Sequence, residues 1–194
     1  MKTLKTFTQN YYFNTEHPCV AYDIGLQLTE LILSSSKPIN DIVILCIGTD
    51  RSTGDSLGPI VGYKLSSKTI FSSKLSIYGT LDMPVHAANL NETIQNIKYE
   101  HKDAYIIAID ASLGLRDHIG YVTLGLGPLK PGLGVNKKLP DVGDIHITGI
   151  VNVSGSCDPA LLQTTRLKTV MKLADVISTS LIYCLNPSAI YSLS

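Results

Sequence analysis

The sequence contains no tryptophan, few charged residues and no long hydrophobic run. Charged residues make up only 16% of its 194 residues, and sixteen basic residues balance sixteen acidic ones. Because net positive charge and a Lys/Arg tract are both missing, the electrostatic footprint of a nucleic-acid-binding protein is absent. The best apolar run, residues 42–47, is far shorter than the ~20 residues of a membrane-spanning helix. We therefore expect neither nucleic acid nor a membrane as a partner.

Cysteine is also scarce. The four cysteines are Cys19, Cys46, Cys157 and Cys184. They form no C-x-x-C pair, which argues against a zinc site and is typical of reduced, mostly buried thiols in a cytoplasmic protein. Residues 1–10 lack the apolar stretch of a secretory signal. We expect a cytoplasmic protein without a cofactor.

The hydrophobic residues, 44% of the chain, fall in two kinds of pattern. Continuous β-branched-rich runs at residues 42–47 and 104–109 predict strands that are buried on both faces. Shorter strands are predicted over residues 75–80, 121–126 and 145–153. Helical spacing predicts helices over residues 22–35, 56–67 and 85–100, and one of about two dozen residues from Asp158.

Alternating strands and helices predict a three-layer α/β sandwich, with helices on both faces of a mostly parallel sheet. The segment 121–126 follows its predecessor too closely for a helical crossover, so it is expected to run antiparallel and make the sheet mixed. We expect one domain over residues 1–194, with an N-terminal extension at 1–20 and a core at about 21–186. In such sheets a ligand binds beyond the carboxyl ends of the strands.

The richest loop at this edge is residues 48–59, GTDRSTGDSLGP. It lacks the lysine of a P-loop and the G-x-G-x-x-G of a dinucleotide site, although backbone N–H groups at the next helix could still hold a phosphate. Gly54 to Leu57 spells the motif of the GDSL esterases, which would make Ser56 a nucleophile. A nucleophilic serine needs a histidine base, and no histidine follows His146. The alternative is that Ser56 helps to cap the helix.

A third interpretation pairs two aspartates. Asp110 directly follows a buried strand, where a charge is costly unless it is paired or functional. If Asp55 and Asp110 converge there, each raises the proton affinity of the other, so that one is protonated and one ionised near neutral pH. Such a pair can polarise a peptide carbonyl while it activates a water. Asp110 could instead simply cap a turn.

Two histidines have competing interpretations. His86 follows a predicted strand and could join Asp55 and Asp110 in a divalent-metal site. We favour a helix-start histidine with local hydrogen bonds, and expect no metal. His146, inside a strand pattern, is interpreted as a core histidine.

The loop IGTDRSTGDSLGP (47–59) resembles the signature loop of the YyaC family of sporulation proteins, relatives of the spore germination protease and, more distantly, of the hydrogenase maturation proteases. The resemblance continues through PVHA (84–87), IAIDA (107–111), PGLGVNKKLP (131–140), VGD (142–144) and VNVSG (151–155). It implies a phosphorylase/hydrolase-like fold. It also implies that Asp55 and Asp110 match the two essential aspartates of an aspartic-type endopeptidase, with Asp50, Arg51 and His86 as binding residues. Gly54 departs from the proline of the germination protease, and this chain is much shorter.

The resemblance further implies a peptide or protein substrate such as a spore protein, in the cytoplasm of a forespore or mother cell. A homo-oligomer remains open, as does a non-enzymatic binding module on the same fold. The segment 127–144, rich in Gly and Pro, is interpreted as a flap whose Lys137 and Lys138 meet an acidic partner.

Overall fold

Two buried β-branched runs form the centre of a mixed sheet. The computed structural model of the chain describes residues 10–67, 74–131, 139–155 and 158–185. The strands are β1 (Asn10–Asn14), β2 (Ile42–Cys46), β3 (Leu75–Tyr78), β4 (Tyr105–Gly114), β5 (Tyr121–Leu126) and β6 (Ile145–Val153). The helices are α1 (Val20–Leu33), α2 (Leu57–Ser66), α3 (Leu90–Glu100), α4 (Asp158–Gln163) and α5 (Leu167–Leu185), with a 3-10 turn at Arg116–His118. The predicted three-layer, mixed α/β architecture is confirmed.

The strand order is β1-β5-β6-β4-β2-β3. Strands β3, β2, β4 and β6 are parallel, and β5 runs antiparallel to both of its neighbours, as its short connection predicts. The parallel strands therefore present their carboxyl ends at one edge. Asp55 and Asp110 both come from this edge.

Helices lie on both faces of the sheet. Helices α1, α2 and α5 cover one face, where Ile24, Leu57 and Ile177 pack in a large core with Ile44 and Ile107. Helix α3 contributes Leu90 and Ile97 to a smaller core on the other face, which we call the α3 face. The smaller core contains residues of β2 and β4 and none of β1, β5 or β6 among those described.

Several predicted boundaries were wrong. The helix expected over residues 85–100 begins only at Leu90. Residues 10–14, expected to belong to an N-terminal extension, form the edge strand β1 and pair with β5. The helix expected from Asp158 is two helices. They are separated at Thr164 and Thr165, whose hydroxyls bond back to the Ala160 and Leu161 carbonyls at 3.0 and 2.8 Å. Such back-bonding competes with helix continuation.

Strand β4 also continues beyond its predicted end. It pairs with β2 as far as Ile109 and with β6 as far as Gly114. Asp110 thus lies inside β4, at the point where its partner β2 has ended. The side chain is held by a strand rather than by a turn, which argues against the capping interpretation.

Three of the four cysteines lie among the described residues. Cys46 and Cys184 are buried free thiols and Cys19 is an exposed one, while Cys157 lies outside the described residues. None of the helices in the described ranges is long and apolar enough to cross a membrane.

Candidate active site at the carboxyl edge of the sheet

The loop after β2 is fastened at both ends. Gly48 has φ +142°, a conformation that L side chains rarely adopt, and a Cβ there would collide with the Asp55 carbonyl. The Thr49 N–H donates to that carbonyl oxygen at 3.1 Å, which closes the loop. A Cβ on Gly58 would collide with the Ile47 carbonyl, so glycine lets α2 approach the end of β2. This closed loop fixes where Asp55 lies.

Gly54, the departure from the germination protease pattern, has a structural reason in this chain. Its N–H donates to the Leu162 carbonyl at 2.8 Å, at the end of α4. Proline has no N–H and could not make this bond. A Cβ would also lie only 2.9 Å from Leu162 and Thr165. Glycine therefore lets the end of α4 dock against the loop that carries Asp55.

Three segments meet beside this loop. The Ile47 N–H donates to the Ile109 carbonyl at 2.7 Å, and the Gly48 N–H donates to the Val85 carbonyl at 2.8 Å. Ile47 and Val85 also form a parallel bridge. Asp110 and His86 are the residues that follow Ile109 and Val85. The structure thus brings the Asp55 loop, the start of the His86 segment and Asp110 together.

Asp110 is a buried carboxyl group that forms no ion pair with any of the described residues. Its side chain is 8% exposed, and the Ala111 N–H donates to Oδ1 at 2.7 Å. Burial and, second, the negative charge of Asp55 raise the pKa of Asp110 well above its ordinary value, against the lowering effect of the Ala111 N–H. Asp110 therefore holds its proton into a pH range where an exposed aspartate is ionised.

The environment of Asp55 raises the pKa of its carboxyl group less than that of Asp110 does. Burial raises the pKa of Asp55, while a hydrogen bond from the Thr49 backbone and the charge of His86 both lower it. No hydrogen bond joins Asp55 directly to Asp110 within the described residues. The two carboxyl groups interact through space, and the environments hold their pKa values apart, with Asp55 the stronger acid.

Asp144 is a structural carboxylate with which the candidate site can be compared. It lies at the opposite, amino-terminal end of β4, where Oδ2 accepts hydrogen bonds of 2.8 Å from Lys37 Nζ and the Ile106 N–H. Its charge is thus paired. In the ion pairs found among the described residues, neither Asp55 nor Asp110 takes part. A buried carboxyl group next to a half-buried one, neither of them in those ion pairs, is typical of a functional site.

His86 has the local hydrogen bonds expected of a helix-start histidine. Its Nδ1 accepts from the Ala88 N–H at 3.2 Å, and its own N–H donates to Asn89 Oδ1 at 2.8 Å. When the ring is protonated, its charge lowers the pKa of Asp55. In the described part of the chain, no three His, Cys, Asp or Glu side chains are grouped as metal ligands. His86 is therefore near the pair without completing a ligand set.

Asp50 and Arg51, the other predicted binding residues, are exposed in the same loop. The Arg51 N–H donates to Thr49 Oγ1 at 3.3 Å, which orders the backbone there. Their binding role stays a prediction. Lys137 and Lys138 of the expected flap lie outside the described residues, although Leu129 and Val142 on either side of them form an antiparallel bridge.

Ser56 occupies the N-cap position of α2, but the expected capping bond was wrong. Its hydroxyl donates to the Thr53 carbonyl at 2.7 Å, and the residue is 6% exposed. A hydroxyl committed to a carbonyl and largely buried has neither the base nor the access that a nucleophile needs. The geometry does not support the GDSL esterase interpretation.

Fold and site together define an α/β protein with a buried and a half-buried carboxyl group at the carboxyl edge of its parallel strands. The chain belongs to the family described as "Protein of unknown function (DUF1256)", whose model matches residues 13–180. The uncharacterized protein YyaC of Bacillus subtilis (strain 168) is 51% identical over 158 residues, which are 78% of this chain and 75% of that protein. The resemblance stated from the motifs is thus confirmed.

Among solved structures, the [NiFe] hydrogenase maturation protease HycI from Thermococcus kodakarensis KOD1 is similar to 78% of this chain and 98% of its own. The identity is 15% and the TM-score is 0.42.

Sequence reasoning missed a set of polar side chains beside Asp110. Thr148 pairs with Asp110 across β4 and β6, and Thr123 pairs with Thr148 across β5 and β6. The sequence signal was the alternation of polar and apolar residues in β5 and β6. That signal shows which residues share a face, but it does not show that the face leads to Asp110.

Proposed function

We propose that this protein hydrolyses peptide bonds by means of a water activated between Asp55 and Asp110. The observation that carries the proposal is the buried Asp110, which has no ion pair in the described part of the chain and interacts with a second carboxyl group from another loop. Such an arrangement separates the acidities of two chemically identical groups. That separation is what general acid–base catalysis by a carboxyl pair requires.

The acidities assign a role to each group. Asp55, the stronger acid, is the carboxylate that takes a proton from water. Asp110, which keeps its proton, donates it to the carbonyl oxygen of the peptide bond as the water oxygen attacks the carbonyl carbon. The tetrahedral intermediate then breaks its C–N bond. Asp55 returns its proton to the leaving amine, and the hydroxyl proton of the intermediate goes back to Asp110.

His86 affects the ionisation of Asp55, the base in this assignment. When it is protonated, the ring lowers the pKa of Asp55 and thereby favours the ionised base. In the structure Nδ1 accepts from the Ala88 N–H, which orients the neutral ring, and protonation of Nδ1 removes this bond. His86 is thus a positioning and electrostatic residue rather than a proton donor to substrate.

For the cellular role, we infer a peptidase associated with sporulation, acting on a peptide or protein such as a spore protein in the cytoplasm of a forespore or mother cell. The support is the similarity to the YyaC motifs. A binding module that keeps the carboxyl pair without turnover is the competing function, and the assay below separates the two.

The proposed mechanism predicts a bell-shaped dependence of peptide hydrolysis on pH. The rate should rise as Asp55 loses its proton and fall as Asp110 loses its proton, with both limbs above the ordinary pKa of aspartate. The measurement is cleavage of a mixed peptide library followed by mass spectrometry across the pH range, with and without excess chelator. Activity should persist in chelator.

Activity that vanishes with chelator and returns with added metal would contradict the carboxyl-pair mechanism. No cleavage under any condition would favour the binding module.

Replacement of Ser56 by alanine should leave peptide cleavage intact. It should cost about 1 kcal/mol of unfolding free energy, because the Thr53 carbonyl loses its buried donor. Chemical denaturation and the cleavage assay measure the two effects separately. Loss of all hydrolysis at unchanged stability, or labelling of Ser56 by a fluorophosphonate probe, would revive the esterase interpretation.

A further inference from the structure

The α3 face of the sheet carries a groove next to Asp110. The groove has a volume of about 720 Å³ and is lined by residues of β1, β4, β5 and β6, together with Pro128, Leu129 and Lys130. Of these four strands, only β4 contributes to the α3-side core among the described residues, and Leu129 belongs to both that core and the groove lining. Its size falls within the ~300–1,000 Å³ of ligand sites.

A polar row crosses the floor of this groove and ends at Asp110. Tyr12 pairs with Thr123, Thr123 with Thr148, and Thr148 with Asp110, so these four side chains share one sheet face. Thr123 Oγ1 lies 2.7 Å from Thr148 Oγ1, which lies 3.0 Å from Ser112 Oγ. The row spans three strand gaps, or roughly 14 Å, which is about four residues of an extended peptide.

The groove is lined by basic and neutral side chains. Its described lining contains His118, His146 and Lys130 and includes no Asp or Glu. His118 lies at the β1 end of the row, where its ring is 5.4 Å from that of Tyr12 and 5.0 Å from that of Tyr121. The lining therefore favours an anionic group over a cationic one.

His146 presents a defined atom to the groove. Its Nδ1 lies 3.0 Å from the Gly127 carbonyl, which can only accept, so Nδ1 carries a proton. Nε2 is then the free ring nitrogen. A Cβ on Gly125 would come within 2.6 Å of Nε2, so the glycine provides the space in which the ring lies. The expected core histidine is instead a half-buried lining residue.

From this placement we propose that the groove binds the substrate as an extended peptide, with an acidic side chain three to four residues from the scissile bond. The inference rests on the proposed function, because the scissile bond is located at Asp110. The hydroxyl row and the acceptor Nε2 of His146 meet the peptide backbone, and the carboxylate lies between His118 and Lys130. Two observations support an acidic peptide as the occupant. The polar row is continuous with Asp110, and the basic lining is complementary to a carboxylate.

The test measures binding without turnover. Fluorescence anisotropy with the Asp110→Asn chain compares end-capped peptides that carry one Glu with the same peptides carrying Gln, and moves the Glu along the peptide. We expect the Glu peptide to bind at least about tenfold more tightly at one position. Combined His118→Gln and Lys130→Gln changes should remove this preference, whereas the control Lys168→Gln, exposed on α5, should keep it.

Equal affinity for Glu and Gln peptides would overturn the proposal, as would a preference that survives in the double variant or disappears in the control. A preference that follows only a free C-terminal carboxylate would also overturn it. If Asp110→Asn does not fold, Asp55→Asn serves in its place. Glu-selective binding without cleavage by the wild-type chain would contradict the hydrolase and leave the groove standing, and cleavage without Glu selectivity would do the reverse.

Discussion

The Asp110→Asn chain is expected to lose at least about 10³-fold in kcat/KM for peptide cleavage while it keeps its fold. Asparagine has nearly the same shape as aspartic acid, and its carbonyl oxygen can still accept the 2.7 Å hydrogen bond from the Ala111 N–H. It cannot release and regain a proton at the substrate carbonyl oxygen. General acid–base catalysis contributes typically 10²–10⁴-fold, and groups that act as a unit fail together.

A matched control distinguishes this loss from a general effect of removing a carboxylate. Asp103 is exposed just before β4 and has φ +61°, a conformation that asparagine tolerates. Asp103→Asn should therefore retain wild-type cleavage, and Asp55→Asn should match Asp110→Asn. Cleavage by Asp110→Asn within about tenfold of wild type, with circular dichroism unchanged, would contradict the proposed mechanism.

The central part of the fold could be predicted because its signals are local. The runs around Ile44 and Ile107 are too apolar to lie anywhere but between two layers, and each ends next to a loop with aspartate. By contrast, β1 has exposed and half-buried residues in alternation, and only its pairing with β5 identifies it as a strand. The break between α4 and α5 likewise depends on threonine hydroxyls bonding to the preceding turn.

Some features of the candidate site could likewise be predicted from the sequence, and others could not. Asp55 and Asp110 could be expected together because parallel strands share a carboxyl edge. The role of Gly54 could not be expected, since its partner Leu162 is more than a hundred residues further along the chain. The groove could not be predicted without the strand order, because only that order places Thr123 and Tyr12 in line with Asp110.

The same Asp110→Asn change is expected to raise thermal stability, increasingly so as the pH rises above the ordinary pKa of aspartate. In that range the folded wild-type chain holds a proton on Asp110 that the unfolded chain has released, because burial and the charge of Asp55 raise the pKa of the folded group. The free energy of unfolding therefore falls with pH, by up to about 1.4 kcal/mol per unit from this group. Asparagine binds no such proton, so the variant lacks this slope.

Thermal unfolding of wild type, Asp110→Asn and Asp103→Asn in parallel from about pH 4 to pH 8 measures the effect. Near pH 4 the wild-type and Asp110→Asn curves should nearly coincide, since protonated Asp110 and asparagine are both neutral. Toward pH 8 the variant should melt higher, by about 2–4 °C for each kcal/mol gained in a chain of this size. Parallel curves would mean that Asp110 titrates alike in both states, which would remove the electrostatic basis for its role as the acid. A diverging pair would show that the chain tolerates a destabilising buried carboxyl group, which is the cost expected of a catalytic acid.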